Sequence, residues 1–236
     1  MTTTALVYGV SAALANVVGA LAVTSGRQWS VRALDRLLAF AAGFLLSVAF
    51  IDLMPEAVER GGRAAAAVAL GSYLLVHFTQ HTIGRHFHFG EERHAVTRVT
   101  SSSALIGLLL HTFVDGVAVA SGVLVSGAVG ALVFVGVLLH KFPEGLAISS
   151  LFLASGASKR MALLAAAALG AATIAGVALT DQIAGLRTHG IAISAGVTIY
   201  VGASNLVPEL QKRGGLGTPL SFLAGCGAYV AARFLL

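Results

Sequence analysis

Charge is missing from most of this chain. No Asp, Glu, Lys or Arg occurs in residues 1–26, 37–51, 64–84, 99–114, 116–140, 161–180, 188–208 or 214–232 of the 236. Several of these runs approach or exceed the ~20 residues a helix needs to cross the apolar core of a bilayer. Charged residues make up 11% of the sequence, against roughly 25% in a soluble domain. Inside a bilayer the backbone has no water to bond, so a spanning segment is a helix or a strand of a closed barrel. The runs lack the period-two alternation of barrel strands, which leaves helices. The expected class is an all-α membrane protein with eight transmembrane helices, over roughly 4–25, 35–57, 64–84, 101–123, 127–152, 160–180, 189–210 and 216–236. Short connections leave no room for a soluble unit, so residues 1–236 read as a single transmembrane domain.

Basic residues between spans set orientation. The odd-numbered connections carry ten: Arg27, Arg32, Arg36, Arg85, Arg93, Arg98, Lys159, Arg160, Lys212 and Arg213. The even-numbered ones carry three, Arg60, Arg63 and Arg187. This bias predicts odd connections in the cytoplasm and both termini outside it, in a multi-pass protein of the plasma or inner membrane. It also accounts for the net charge of +5 without a nucleic-acid partner. No basic residue precedes the first apolar run, so that run is expected to be kept as a span and not cleaved as a signal. The lone Cys226 excludes an internal disulfide framework and a Cys-rich metal site. The 28 glycines suit close helix packing in lipid.

Ionisable side chains at bilayer depth are costly and mark a site or pathway. Here they are few, and they repeat. "HTFVDGVAVAS" (111–121) and "HKFPEGLAISS" (140–150) share five of eleven positions. In each copy a histidine stands four residues before an acid, which places the two on one helix face. Facing each other, the copies would gather His111, Asp115, His140 and Glu144 around one point. Two carboxylates offset a divalent cation, and two imidazoles favour zinc, then iron(II), manganese or cadmium, over calcium or magnesium. A hydrogen-bonded pair that only bridges helices is the structural alternative. A proton-coupled carrier of another substrate, a zinc-dependent intramembrane hydrolase and haem ligation are functional ones. The hydrolase reading lacks an H-E-x-x-H sequence. Haem needs no acid beside each histidine.

With the expected topology the two copies cross the membrane in opposite directions. Inverted repeats with a midplane site, marked by Pro or Gly in a span, typify secondary transporters. Pro143 lies between His140 and Glu144 and leaves the Leu139 carbonyl without its helical donor. A fainter echo pairs "DLMPEA" (52–57) with "NLVPEL" (205–210). Asp52 and Glu56 would then line an entrance, and Asn205 and Glu209 an exit, that attract a cation. The third span and the loop after it, 85–100, contain His77, His81, His86, His88 and His94, candidates for loose metal binding on the cytoplasmic side.

These features resemble the ZIP (Zrt/Irt-like) family of divalent metal transporters. The likeness rests on "HTFVDG" (111–116), similar to the family's HNxxDG and HNxPEG, and on "HKFPEG" (140–145), similar to HExPHE, QDxPEG and HKxPEG. It extends to eight spans with both termini outside and a His-rich loop after the third. The resemblance implies uptake of zinc or a similar ion toward the cytoplasm, with the ion as cargo and no cofactor. It also implies a two-metal centre between spans four and five, an elevator-like movement of spans one, four, five and six, and a homodimer. Two positions depart from the family pattern: Thr112 stands where many members have Asn, and Lys141 where many have Glu or Asp. Both positions contribute to the family's second metal. A protonated lysine cannot ligate and repels a second cation. One metal is therefore expected, with the Lys141 ammonium replacing the second, and the sixth span offers no carboxylate in its place.

Overall fold

The structure is a computed structural model that describes residues 2–26, 30–82, 98–207 and 215–235. Among the described residues it is helical throughout, with no strand. We number the helices α1 Thr3–Thr24, α2 Val31–Val48, α3 Met54–Thr82, α4 Arg98–Val125, α5 Gly127–Ala154, α6 Lys159–Thr180, α7 Ala184–Ile199 and α8 Gly217–Leu235. Two π-helical segments interrupt the series, Ala49–Leu53 after α2 and Tyr200–Leu206 after α7. Among the described residues, five helical stretches are long and apolar enough to cross a membrane, one of them the 48 residues Arg32–Thr79.

Local chemistry sets several boundaries. Thr2, Ser126 and Ser158 cap α1, α5 and α6, each accepting a hydrogen bond from an amide three residues on. Such caps satisfy helix-end donors that otherwise have no intrahelical partner. The connection expected between spans two and three is much shorter than the sequence suggested. Helical structure runs from Val31 to Thr82, broken only at Gly62, whose φ of 56° and ψ of −146° suit a residue without Cβ. The seventh helix starts at Ala184, five residues before the expected 189.

The helices pack in two sets. In one, α1 lies on α5 and α6 while α4 lies on α6 and α5. In the other, α2 lies on α8 and α3 on α7. Within each set, glycines let backbones touch. A Cβ on Gly116 would overlap the carbonyl of Thr173, and one on Gly176 the carbonyl of Phe113. The same reciprocal lock joins α5 to α1: Gly145 meets the carbonyl of Asn16, and Gly19 that of Phe142. In the second set Gly43 meets the carbonyl of Phe222 and Gly196 that of Ala69. Between the sets the close glycine contacts are with side chains, Gly136 with Leu45 and Gly190 with Ser121.

Large apolar side chains such as Leu14, Leu70, Phe78 and Leu223 are more than half exposed on α1, α3 and α8. Water disfavours such a surface and lipid does not. The chain is a membrane protein.

Candidate metal centre

A single residue, Ser126, separates α4 from α5, and its extended backbone turns the chain back on itself. His111 lies fifteen residues before this pivot and His140 fourteen after it. Arms that differ by one residue bring the two histidines nearly level. Their rings meet at 5.6 Å between centroids, inclined by 36°. Asp115 and Glu144 follow one turn later on each arm. One ligand atom from each of His111, Asp115, His140 and Glu144 lies within 4.8 Å of the others, and all four residues are buried.

The contacts show how this cluster is oriented. His140 Nδ1 lies 3.0 Å from the Gly136 carbonyl, to which its N–H can donate. That bond places a proton on Nδ1 and turns Nε2 toward the centre. Nε2 of His140 and Nε2 of His111 each lie 3.3 Å from the same oxygen, Asp115 Oδ2. A cation placed among these three atoms would be shared by both imidazoles and the carboxylate. His111 Nδ1 and Glu144 Oε1 are also buried without a hydrogen-bond partner. One imidazole and one carboxylate from each arm make up the donor set of a late first-row divalent metal.

Lys141 stands inside this group and is fully buried. Its Nζ lies 2.7 Å from Asp115 Oδ2 and 2.6 Å from Glu144 Oε2. Thr112 is fully buried as well, but its hydroxyl donates to the Leu108 and Leu109 carbonyls of its own helix. Pro143 sits within α5, which stays helical through it.

The model of the ZIP zinc transporter family matches residues 90–230. The chain belongs to the ZIP family. Members of this family move divalent metal ions across membranes, and the buried His, Asp and Glu group of this ZIP protein lies within the matched region. Comparison with curated proteins finds no match.

The remaining candidates in this ZIP chain lie apart from that group or outside the description. Asp52, in the first π segment, is buried and fully engaged: Tyr229 Oη donates to one oxygen at 2.8 Å and Arg233 Nε to the other at 3.0 Å. Glu56 pairs with Arg60 one turn on, at 2.5 Å. His77 stacks on Tyr73 and meets Tyr200 edge to face. His81 lies on α3 and Asn205 in the second π segment, but their side chains lie outside the described residues, as do His86, His88, His94 and Glu209 entirely.

Sequence reasoning overlooked three supports of the site. The Gly136 carbonyl orients His140, and Asn16 and Thr173 form the walls against Gly145 and Gly116. A signal for the last two existed. In N-x-x-G at 16–19 and T-x-x-G at 173–176 a polar residue stands three before a glycine in an apolar span, and each is packed on one copy of the His–acid motif.

Proposed function

We propose that this chain carries zinc, with iron(II), manganese and cadmium as further cargoes, across the plasma or inner membrane toward the cytoplasm. His111, Asp115, His140 and Glu144 would hold one ion at a time, and Lys141 would replace the second. The observation that carries this reading is the convergence of four buried ligand atoms within 4.8 Å, two from each arm of the α4–α5 hairpin. Family membership supplies the transport activity; the donor set favours zinc.

Eight spans with both termini outside remain our topology. The break at Gly62 supports it by splitting one 48-residue stretch into two, and the helical run from Ala184 to Leu206 supports a seventh. Alternating access would move α1, α4, α5 and α6 as one body against the rest. The reciprocal glycine locks within each set support this, since side-chain contacts between the sets can slide where interlocked backbones cannot. Asp52 and Glu56 would lie on the way in, Asn205 and Glu209 on the way out. The histidines of α3 and of the loop at 85–100 would receive the ion. A homodimer is carried over from the family resemblance alone.

The test is zinc uptake into liposomes containing the protein, followed with an internal dye. Wild-type uptake that is lost in both His111→Ala and Glu144→Ala supports transport through this site. Uptake that persists in both removes these residues from the pathway. Bound zinc without flux, but with cleavage of a lipid or peptide, would point to an intramembrane hydrolase.

A further inference from the structure

We propose that Lys141 is a tethered counter-ion that divides the charge moved in each transport cycle evenly between the loaded and the cargo-free crossing. The inference rests on the transport reading above. Its basis is the position of Nζ, 2.7 Å from Asp115 and 2.6 Å from Glu144, on a side chain with no exposure. The ammonium is thus bonded to both carboxylates that belong to the ligand group. Cargo and lysine share their counter-charges, and the lysine cannot leave.

Formal charge then decides what each crossing costs. Both imidazoles are neutral when they serve as metal ligands, and we take them as neutral in the cargo-free site as well. Asp115, Glu144 and Lys141 together carry one net negative charge, and a bound divalent ion turns this into one net positive charge. Desolvation in a low dielectric grows with the square of the charge, so the two crossings are equally burdened. An inside-negative potential draws the loaded site inward and the cargo-free site outward, and so assists both. A neutral residue at position 141 would give a neutral loaded site and a doubly negative cargo-free one. The return would then carry roughly four times the Born cost of a single charge. Lysine at this position speeds the return at the expense of a loaded form that feels the field.

Net uptake needs the cargo-free return, whereas exchange of labelled for unlabelled ion does not. The experiment uses the full chain in liposomes with radiolabelled zinc, in vesicles either free of zinc or preloaded with it. For Lys141→Met we expect the ratio of net uptake to exchange to fall by about tenfold or more. Lys141→Arg keeps the charge and should restore the wild-type ratio. Under a potassium–valinomycin clamp, exchange by the wild type should respond to the imposed potential and exchange by Lys141→Met should not. Voltage-independent exchange in the wild type overturns the proposal without any variant. So does an equal fall of both modes in a Lys141→Met protein that still binds zinc. Wild-type vesicles with neither uptake nor exchange would instead overturn the transport reading itself.

Discussion

The carbonyl of Asn16 lies against Gly145, one residue beyond Glu144, and leaves no room for a Cβ. The carbonyl of Thr173 does the same to Gly116, one residue beyond Asp115. Each acid of the site is therefore held at the point where its helix is clamped to a neighbour, and the depth of the carboxylates is fixed by backbone contact.

Alanine at either clamp forces two backbones apart. Gly116→Ala and Gly145→Ala should each lower stability by about 3 kcal/mol or more, beyond the usual cost of overpacking with a movable side chain. Gly71, on α3, has nothing within 4 Å of its Cβ position. Gly71→Ala should gain about 0.5–1 kcal/mol from reduced backbone freedom. Thermal unfolding in detergent distinguishes the two cases.

Asp52 bonds to α8 residues 177 and 181 positions away. Tyr229→Phe removes the buried donor and should destabilise by about 1.5–3 kcal/mol, as expected for a hydrogen bond to a charged group. Arg233 is half exposed, and Arg233→Gln should cost about 1 kcal/mol or less. Zinc affinity at the His–acid group should be unchanged in both, as measured by calorimetric titration beside the unfolding curves.

Two imidazoles and two carboxylates discriminate by ligand type. Cadmium, iron(II) and manganese should compete with zinc uptake when present in modest excess. Magnesium and calcium, which prefer shells of oxygen alone, should not compete even at about a hundredfold excess. Competition curves in the liposome assay check this order.

The two helix sets should move against each other. In a Cys226→Ser background, cysteines at Ser121 and Gly190 would join α4 to α7, where the virtual Cβ of Gly190 is 3.5 Å from that of Ser121. This lies in the disulfide range of ≈ 3.5–4.5 Å. Oxidation should arrest zinc uptake and reduction restore it. A pair at Gly9 and Val177, within one set and with Cβ positions 3.6 Å apart, should leave uptake intact when oxidised. Equal inhibition by both bridges would count against rigid-body movement.

Much of this was written in the residue order alone. Long uncharged runs leave the backbone no partner but itself, so helices follow from composition. A histidine four residues before an acid shares its face whatever the rest of the chain does. The repeat at 111 and 140 named the four residues that converge, and a one-residue pivot almost midway between the histidines brought them level.

Only the tertiary structure decided the rest. The π segments at Ala49–Leu53 and Tyr200–Leu206 are widened helical turns that the apolar runs of the sequence did not announce. Asp52 reads in sequence as a free acid near a helix end, but its partners come from the far end of the chain. Lys141 reads in sequence as a charge in place of a second metal, and the fold shows which carboxylates it meets, one on each of two helices. In each case the energy lies in a contact between distant segments. The sequence determines which groups are available for such contacts, and packing determines which of them meet.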